Sequence, residues 1–481
     1  MGRSGFVTRR SSDPQRPEPG PCRRIAGQVP EKPDLSIDGA TIVTPSGRRS
    51  GSIVASAGRI EAIADEPVSA ARNVDAAGLI AMPGFVDAHV HLMEPPSEHR
   101  EDWAHGSAAA AASGVTTIIE HTHDGPVLSV ADLEEKRDFL ADRSIVDYGL
   151  GAHVFPESIK HTAEIWAAGA AFLKAFTCTT HGVPGLDSDT LLQLFTAAAA
   201  ADAVCLVHAE DELILAKAEE RLKAEGVDDG SLIPRWRNRE AEIAAVGQVV
   251  GLAYATGARV VIAHASSPPV LALVVGAQRA GARVSAEACP QYLTLLEDEV
   301  DQHGALRKFT PPARARDEGE LAAMWASLGA GDGLEYVASD HAPSTREQKA
   351  GGLWDAPFGL PGIDTTSTML IDAALEDQIP LERLAAVYSE IPARTYGMGP
   401  QKGTLEPGAD ADVVLIDATA TRTISDDSVR SKAGWTPYAG RSVRGAVAST
   451  FLRGEEIFRA GEVLAEPGLG TFVPGGGARP R

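Results

Sequence analysis

The chain has 481 residues, 44% apolar and 23% charged, which is ordinary for a globular protein and long enough for more than one domain. Its formal charge of −22 argues against nucleic acid or an anionic membrane surface as a partner, because both are bound by Lys and Arg. Cys22, Cys178, Cys205 and Cys289 are too scattered for a disulfide framework, and no apolar run approaches the roughly 18 residues of a membrane span. A reduced, cytoplasmic setting is expected; Arg9-Arg10 has no apolar segment behind it and does not read as an export signal.

Residues 1–33 carry six Arg, one Lys and six Pro with almost no apolar periodicity, and read as a disordered extension. Short β segments follow at Leu35–Asp38, Ala40–Val43, Ser52–Val54 and Arg59–Ala62, separated by turns such as Asp38-Gly39. The same style returns at Asp412–Ile416, Val447–Leu452 and Glu455–Phe458, which predicts a small β-sandwich built from 34–79 plus 401–472, with a flexible tail at 473–481. Between them, residues 80–400 alternate apolar runs with Ala-rich helical stretches. The runs are Phe85–His89, Val115–Glu120, Tyr148–His153, Ala171–Phe176, Ala203–His208, Arg259–His264, Arg283–Glu287 and Tyr336–Asp340. Eight strands separated by helices predict a (β/α)8 TIM barrel, with a doubly wound open sheet as the alternative. Glu210–Glu225 should be helical, and the loop Thr345–Trp354 is a candidate lid or subunit contact.

Several of these runs end in a residue able to bind a metal. His89 and His91 close the first and can face one ion, because alternate residues of an extended segment point the same way. Lys174 lies in the fourth, His208 ends the fifth, His264 the sixth and Asp340 the eighth. In a barrel all these ends lie on one rim, so residues about 250 apart in sequence converge. Two neighbouring cations need a bridging anion, which an ammonium cannot supply. A neutral lysine that has reacted with carbon dioxide can, and burial beside cations favours the neutral amine.

The chain resembles the cyclic amidohydrolases: hydantoinases, dihydropyrimidinases, allantoinases and dihydroorotases. The resemblance is carried by Pro83-Gly-Phe-Val-Asp-Ala-His-Val-His91, Gly114-Val-Thr-Thr-Ile-Ile-Glu120, Lys174, Val207-His-Ala-Glu210, Glu287-Ala-Cys-Pro-Gln-Tyr-Leu293, Ala338-Ser-Asp-His-Ala-Pro343 and Lys402-Gly-Thr-Leu-Glu-Pro-Gly-Ala-Asp-Ala-Asp412. It implies a hydrolase opening the ring C–N bond of a small cyclic amide or ureide. His89, His91 and Asp340 would hold the more buried of two zinc ions, His208 and His264 the more exposed one, and carboxylated Lys174 would bridge them. Manganese or cobalt also suits such N/O donors. A hydroxide between the ions would be the nucleophile, with Asp340 taking its proton and delivering it to the leaving nitrogen. Asp87 would orient a histidine, and a homodimer or homotetramer is implied. A scaffold relative that had lost activity would lack ligands, and all six are present.

The resemblance narrows the substrate less. Dihydroorotases have Arg two residues after the second histidine, where this chain has Met93, which cannot bind a carboxylate. The position at which D-selective hydantoinases place a carbonyl-binding tyrosine is Thr179, and a hydantoinase serine becomes Thr310. The Asn-Gly pair of the substrate loop becomes Phe358-Gly359, and Cys289 opens a hydantoinase-like Cys-Pro-Gln-Tyr. Met93, Thr179, Cys289, Thr310 and Gly359 are therefore the expected substrate contacts, with hydantoinase-type activity ahead of allantoinase. His121 and His123 are either a pocket feature or part of a solvated loop.

Overall fold

The computed structural model of the protein describes residues 32–97 and 99–478, so most of the expected N-terminal extension and the last three residues lie outside the described residues. The chain enters as β1 (Leu35–Thr44), β2 (Gly47–Ser56) and β3 (Arg59–Ala64), an antiparallel meander, with β4 (Arg72–Asp75) and β5 (Ile80–Pro83) parallel to β1. Two expected strands merge in β1. Asp38-Gly39 is a register irregularity between Ile37 and Ala40 rather than a turn, with Gly39 at φ +79°.

Every expected barrel run contains a strand: β6 (Phe85–Val90), β7 (Val115–Glu120), β8 (Asp147–Leu150) continued after Gly151 by β9 (Ala152–His153), β10 (Leu173–Phe176), β11 (Val204–His208), β12 (Arg259–Ile262), β13 (Val284–Ala288) and β14 (Leu334–Val337). All are paired in parallel, as β6-β7-β8 and β9 through β14. A parallel bridge between Val90 and His341, with the His91 N–H donating to the His341 carbonyl at 2.8 Å, brings the end of β14 back to β6. Strands buried on both faces read as continuous apolar runs, which is why they were legible. The intervening helices start at side-chain caps: Asp102, Ser129, Asp187, Asp211, Asn238 and Asp317 each accept the N–H three residues on. The helix expected over Glu210–Glu225 spans Glu212–Glu225 and ends at Gly226, φ +70°. No helix among the described residues is long and apolar enough to cross a membrane.

From the other end, β15 (Val413–Thr423), β16 (Ser442–Leu452), β17 (Glu455–Arg459) and β18 (Glu462–Val463) complete a nine-stranded sheet in the order β18-β17-β16-β15-β5-β1-β2-β3, with β4 beside β1. It has its own core, including Ile37, Ile42, Ile53, Leu415 and Phe451. Ile80–Pro83 joins the two ends in this sheet instead of opening the barrel. Residues 473–478 are not a loose tail: Val473 is buried, and the N–H groups of Val473, Gly475 and Gly476 donate to Tyr148, Gly169 and Tyr396. The expected lid loop is anchored as well, since Lys349 Nζ donates to the carbonyls of Lys308 and Pro357 at 2.8 Å and Trp354 Nε1 to Val227 at 2.9 Å.

A buried ion cluster ties the sheet segments to the barrel. Lys402 Nζ lies 2.9 Å from both Asp410 and Asp412 and also contacts Asp147 at the start of β8, which in turn pairs with Arg453. Burial disfavours the ammonium, but Asp412, Asp147 and Asp410 outweigh it and raise the Lys402 pKa. Lys402→Met leaves the buried Asp412 without its cation and strips one from Asp147 and Asp410, and is expected to cost about 3–5 kcal/mol, read as a lower denaturation midpoint at unchanged slope.

Candidate active site

The residues named from the strand ends come together on the rim of the barrel. Lys174 Nζ lies 3.4 Å from His89 Nε2, and Asp340 Oδ1 lies 3.4 Å from the Nε2 atoms of both His89 and His91. His208 Nδ1 faces His264 Nε2 at 3.1 Å, and the rings of His89 and His264 are 5.5 Å apart. All six are buried or nearly so, Asp340 keeping 14% of its side chain exposed. His264 and Asp340 stand just beyond β12 and β14, at φ +39° and +48°. This left-handed turn takes each side chain out of the strand direction, so the expected strands stop short of them.

The tautomers follow from what holds each ring. His89 Nδ1–H donates to Glu287 Oε1 at 2.7 Å, His91 Nδ1–H to the His121 carbonyl at 2.6 Å, and His208 Nε2–H to Glu210 Oε2 at 2.8 Å. Each leaves a lone pair on the other nitrogen, turned toward the shared pocket. His264 Nδ1 is buried without a hydrogen-bond partner. Burial, the largest influence, lowers the pKa of His89, His91 and His208, and that of His91 falls to about 3, so these rings are neutral and able to ligate. Burial also lowers Lys174 to about 8 against the pull of Glu287 and Asp340, so the free amine that attacks carbon dioxide is far more available than on a surface lysine. The Asp340 carboxyl is pushed up by burial although His89 and Lys174 oppose this. Four imidazoles, a carboxylate and a lysine able to become one fit a pair of borderline divalent cations.

Glu210 and Glu287 are the groups that sequence reasoning missed. Both lie in motifs quoted above, Glu210 two residues after His208 and Glu287 ahead of Cys289, but neither had a role. Glu210 accepts from His208, from Arg237 at 2.8 Å, from Arg314 at 2.6 Å and from Thr310 Oγ1 at 2.9 Å. Burial pushes its carboxyl up, yet Arg237, His208 and Arg314 hold it well below the usual range. Glu287 also accepts the His264 N–H at 3.2 Å and the Tyr336 hydroxyl at 3.0 Å. Glu287→Gln keeps the shape but loses the carboxylate behind His89, and is expected to weaken metal binding about 10–100-fold, measurable by chelator competition. Asp87 bonds the backbone of His89 rather than a histidine ring. It accepts the Ser339 N–H at 2.9 Å and the Tyr388 hydroxyl at 3.1 Å, and so holds the segment that carries Asp340.

The expected substrate contacts fall differently. Thr310 spends its hydroxyl on Glu210. Thr179 is exposed; its N–H donates to Glu212 and its hydroxyl accepts from Gly185. Met93 is buried at φ +65°, and Cys289 is buried at the start of a short helix, its thiol pKa raised by burial. Gly359 sits at φ +119° with its N–H on the Lys308 carbonyl at 3.1 Å, and a Cβ there would meet the Ala342 oxygen at 2.1 Å. His121 is buried beside His89 and His91, at ring separations of 4.9 and 4.3 Å, so it belongs to the pocket wall and not to a solvated loop.

The sequence model of the Amidohydrolase family matches residues 80–457. Among curated relatives, a dihydroorotase of Halobacterium salinarum is 36% identical over 80% of this chain and 88% of its own. An allantoinase of Streptomyces avermitilis is 33% identical over 90% and 97%, and an L-hydantoinase of Paenarthrobacter aurescens 31% identical over 92% and 98%. Among solved structures, the L-hydantoinase (dihydropyrimidinase) from Arthrobacter aurescens superposes with a TM-score of 0.87 at 30% identity, covering 92% of this chain and 100% of that one.

Proposed function

Since the chain belongs to the amidohydrolase family and is a hydrolase of cyclic amide rings, we propose that it opens hydantoin-type rings using a metal pair held by His89, His91, Lys174, His208, His264 and Asp340. The observation that carries this reading is the convergence of those six side chains, with lone pairs freed by Glu287, Glu210 and the His121 carbonyl. Zinc suits the imidazole-rich set best, manganese and cobalt next. When bound, the pair lowers the pKa of water and polarises the scissile carbonyl.

The chain's own residues do the rest. Lys174, as its carbamate, supplies the anion that two close cations require. The Asp340 carboxylate accepts the proton of the attacking water and passes it to the ring nitrogen as the C–N bond breaks. Burial, by raising its proton affinity, suits it to both halves of that transfer. The same reading includes assembly as a homodimer or homotetramer, as the resemblance to the cyclic amidohydrolases implies.

The test is a turnover panel on metal-loaded protein: hydantoin, 5-substituted hydantoins of both hands, dihydrouracil, allantoin, dihydroorotate and cyclic imides. The highest kcat/KM is expected on a hydantoin. Turnover of allantoin alone reverses the order of the two substrates, and efficient turnover of dihydroorotate overturns the argument from Met93. The 36% identity to a dihydroorotase is what makes that arm necessary.

A further inference from the structure

A second group of imidazoles, which the reaction does not use, lies beside the site. His121 follows β7, His153 ends β9, and both are buried. His121 Nδ1 is 2.9 Å from His153 Nε2. The His123 ring lies 5.5 Å from that of His153 and stacks on His181 at 4.5 Å and 2°. His121, His123 and His153 each present a nitrogen, all within 4.8 Å of one another. His121 Nε2 and His153 Nδ1 are buried with no hydrogen-bond partner. We propose that His121, His123 and His153 form a third metal site, for a zinc-class divalent cation, distinct from the pair at the catalytic pocket.

Two imidazole nitrogens 2.9 Å apart are either joined by one N–H or aim two lone pairs at a common cation. His208 Nδ1 and His264 Nε2, at 3.1 Å, show the same approach within the catalytic set, and nitrogens bound tetrahedrally at about 2.0–2.1 Å from zinc lie roughly 3.3 Å apart. As a hydrogen-bonded pair, His121 Nδ1 and His153 Nε2 share one N–H between them, and the His123 nitrogen within 4.8 Å takes no part in that bond. A cation engages a lone pair from all three rings at once.

This third ion is the weaker one. Among the described residues no carboxylate or carbonyl backs the rings of His121 and His153, and such partners are worth about 10–100-fold in affinity. Repulsion from cations held by His89 and His91, whose rings lie against that of His121, weakens it further. Equilibrium dialysis of metal-free protein against Zn²⁺, with bound metal counted at each free concentration, tests the inference. Wild type is expected to bind three equivalents, the last at least 10-fold more weakly, and His123→Ala and His153→Gln to bind two. His123 is only half-buried, so its removal leaves the core intact. His208→Asn should lose tight binding and keep the weak equivalent, which separates failure of the catalytic pair from failure of this site. Saturation of wild type at two equivalents, or a weak equivalent unchanged in both His123→Ala and His153→Gln, overturns the proposal.

Discussion

Lys174→Ala is expected to lower kcat by on the order of 10³-fold or more on the best substrate of the panel, and a short carboxylic acid added to the variant to restore part of it. The buried lysine lies 3.4 Å from His89 Nε2, and neither Glu287 nor Asp340 bonds its Nζ directly. A structural lysine in that position would be a costly choice; a lysine converted to a carbamate becomes the anion between the histidines on either side. Two cations without that anion repel at short range, so the variant should also lose metal. Lys174→Met, which keeps most of the volume, controls for the cavity left by alanine. In metal-free wild type, reconstitution with Zn²⁺ and bicarbonate should quicken as pH rises through about 8, because the ammonium must lose its proton before it reacts. Full activity of Lys174→Ala with no added acid removes the bridge from the mechanism.

Asp340→Asn is expected to lower kcat by roughly 10²–10⁴-fold, the usual worth of a positioned general acid–base. The substitution is chosen for its backbone: at φ +48° Asn is among the few residues that sit comfortably, whereas Ala would add strain. The carboxylate touches both His89 and His91, so loss of one tight equivalent of metal should accompany the loss of rate. Unchanged kcat in Asp340→Asn with metal retained would move the proton transfer to another group.

The barrel was legible because parallel strands buried on both faces leave unbroken apolar runs, and because β6 runs out through His89 and His91 while β11 ends in His208. Less legible was anything decided by a distant partner. Gly475-Gly-Gly477 looks like a loose end, yet a Cβ on Gly475 would meet the Ala170 oxygen at 2.4 Å and one on Gly477 the Trp166 oxygen at 2.2 Å. Those glycines allow the backbone to lie against the barrel, a use that leaves no apolar trace in the sequence. Glu210 and Glu287 were visible in their motifs, but their work depends on Arg237, Arg314 and Tyr336, 27, 104 and 49 residues away. His153 ended an expected strand as plainly as His208 did. Its importance came into view only when β9 was found to bring it against His121.

The most direct measurement is the metal content of purified, active protein followed through chelation and reconstitution, with turnover of a 5-substituted hydantoin read on the same samples. The account predicts two tightly held equivalents per chain, activity that falls as they are removed, and recovery on returning Zn²⁺ with bicarbonate. Protein that stays fully active after both have been stripped would contradict it.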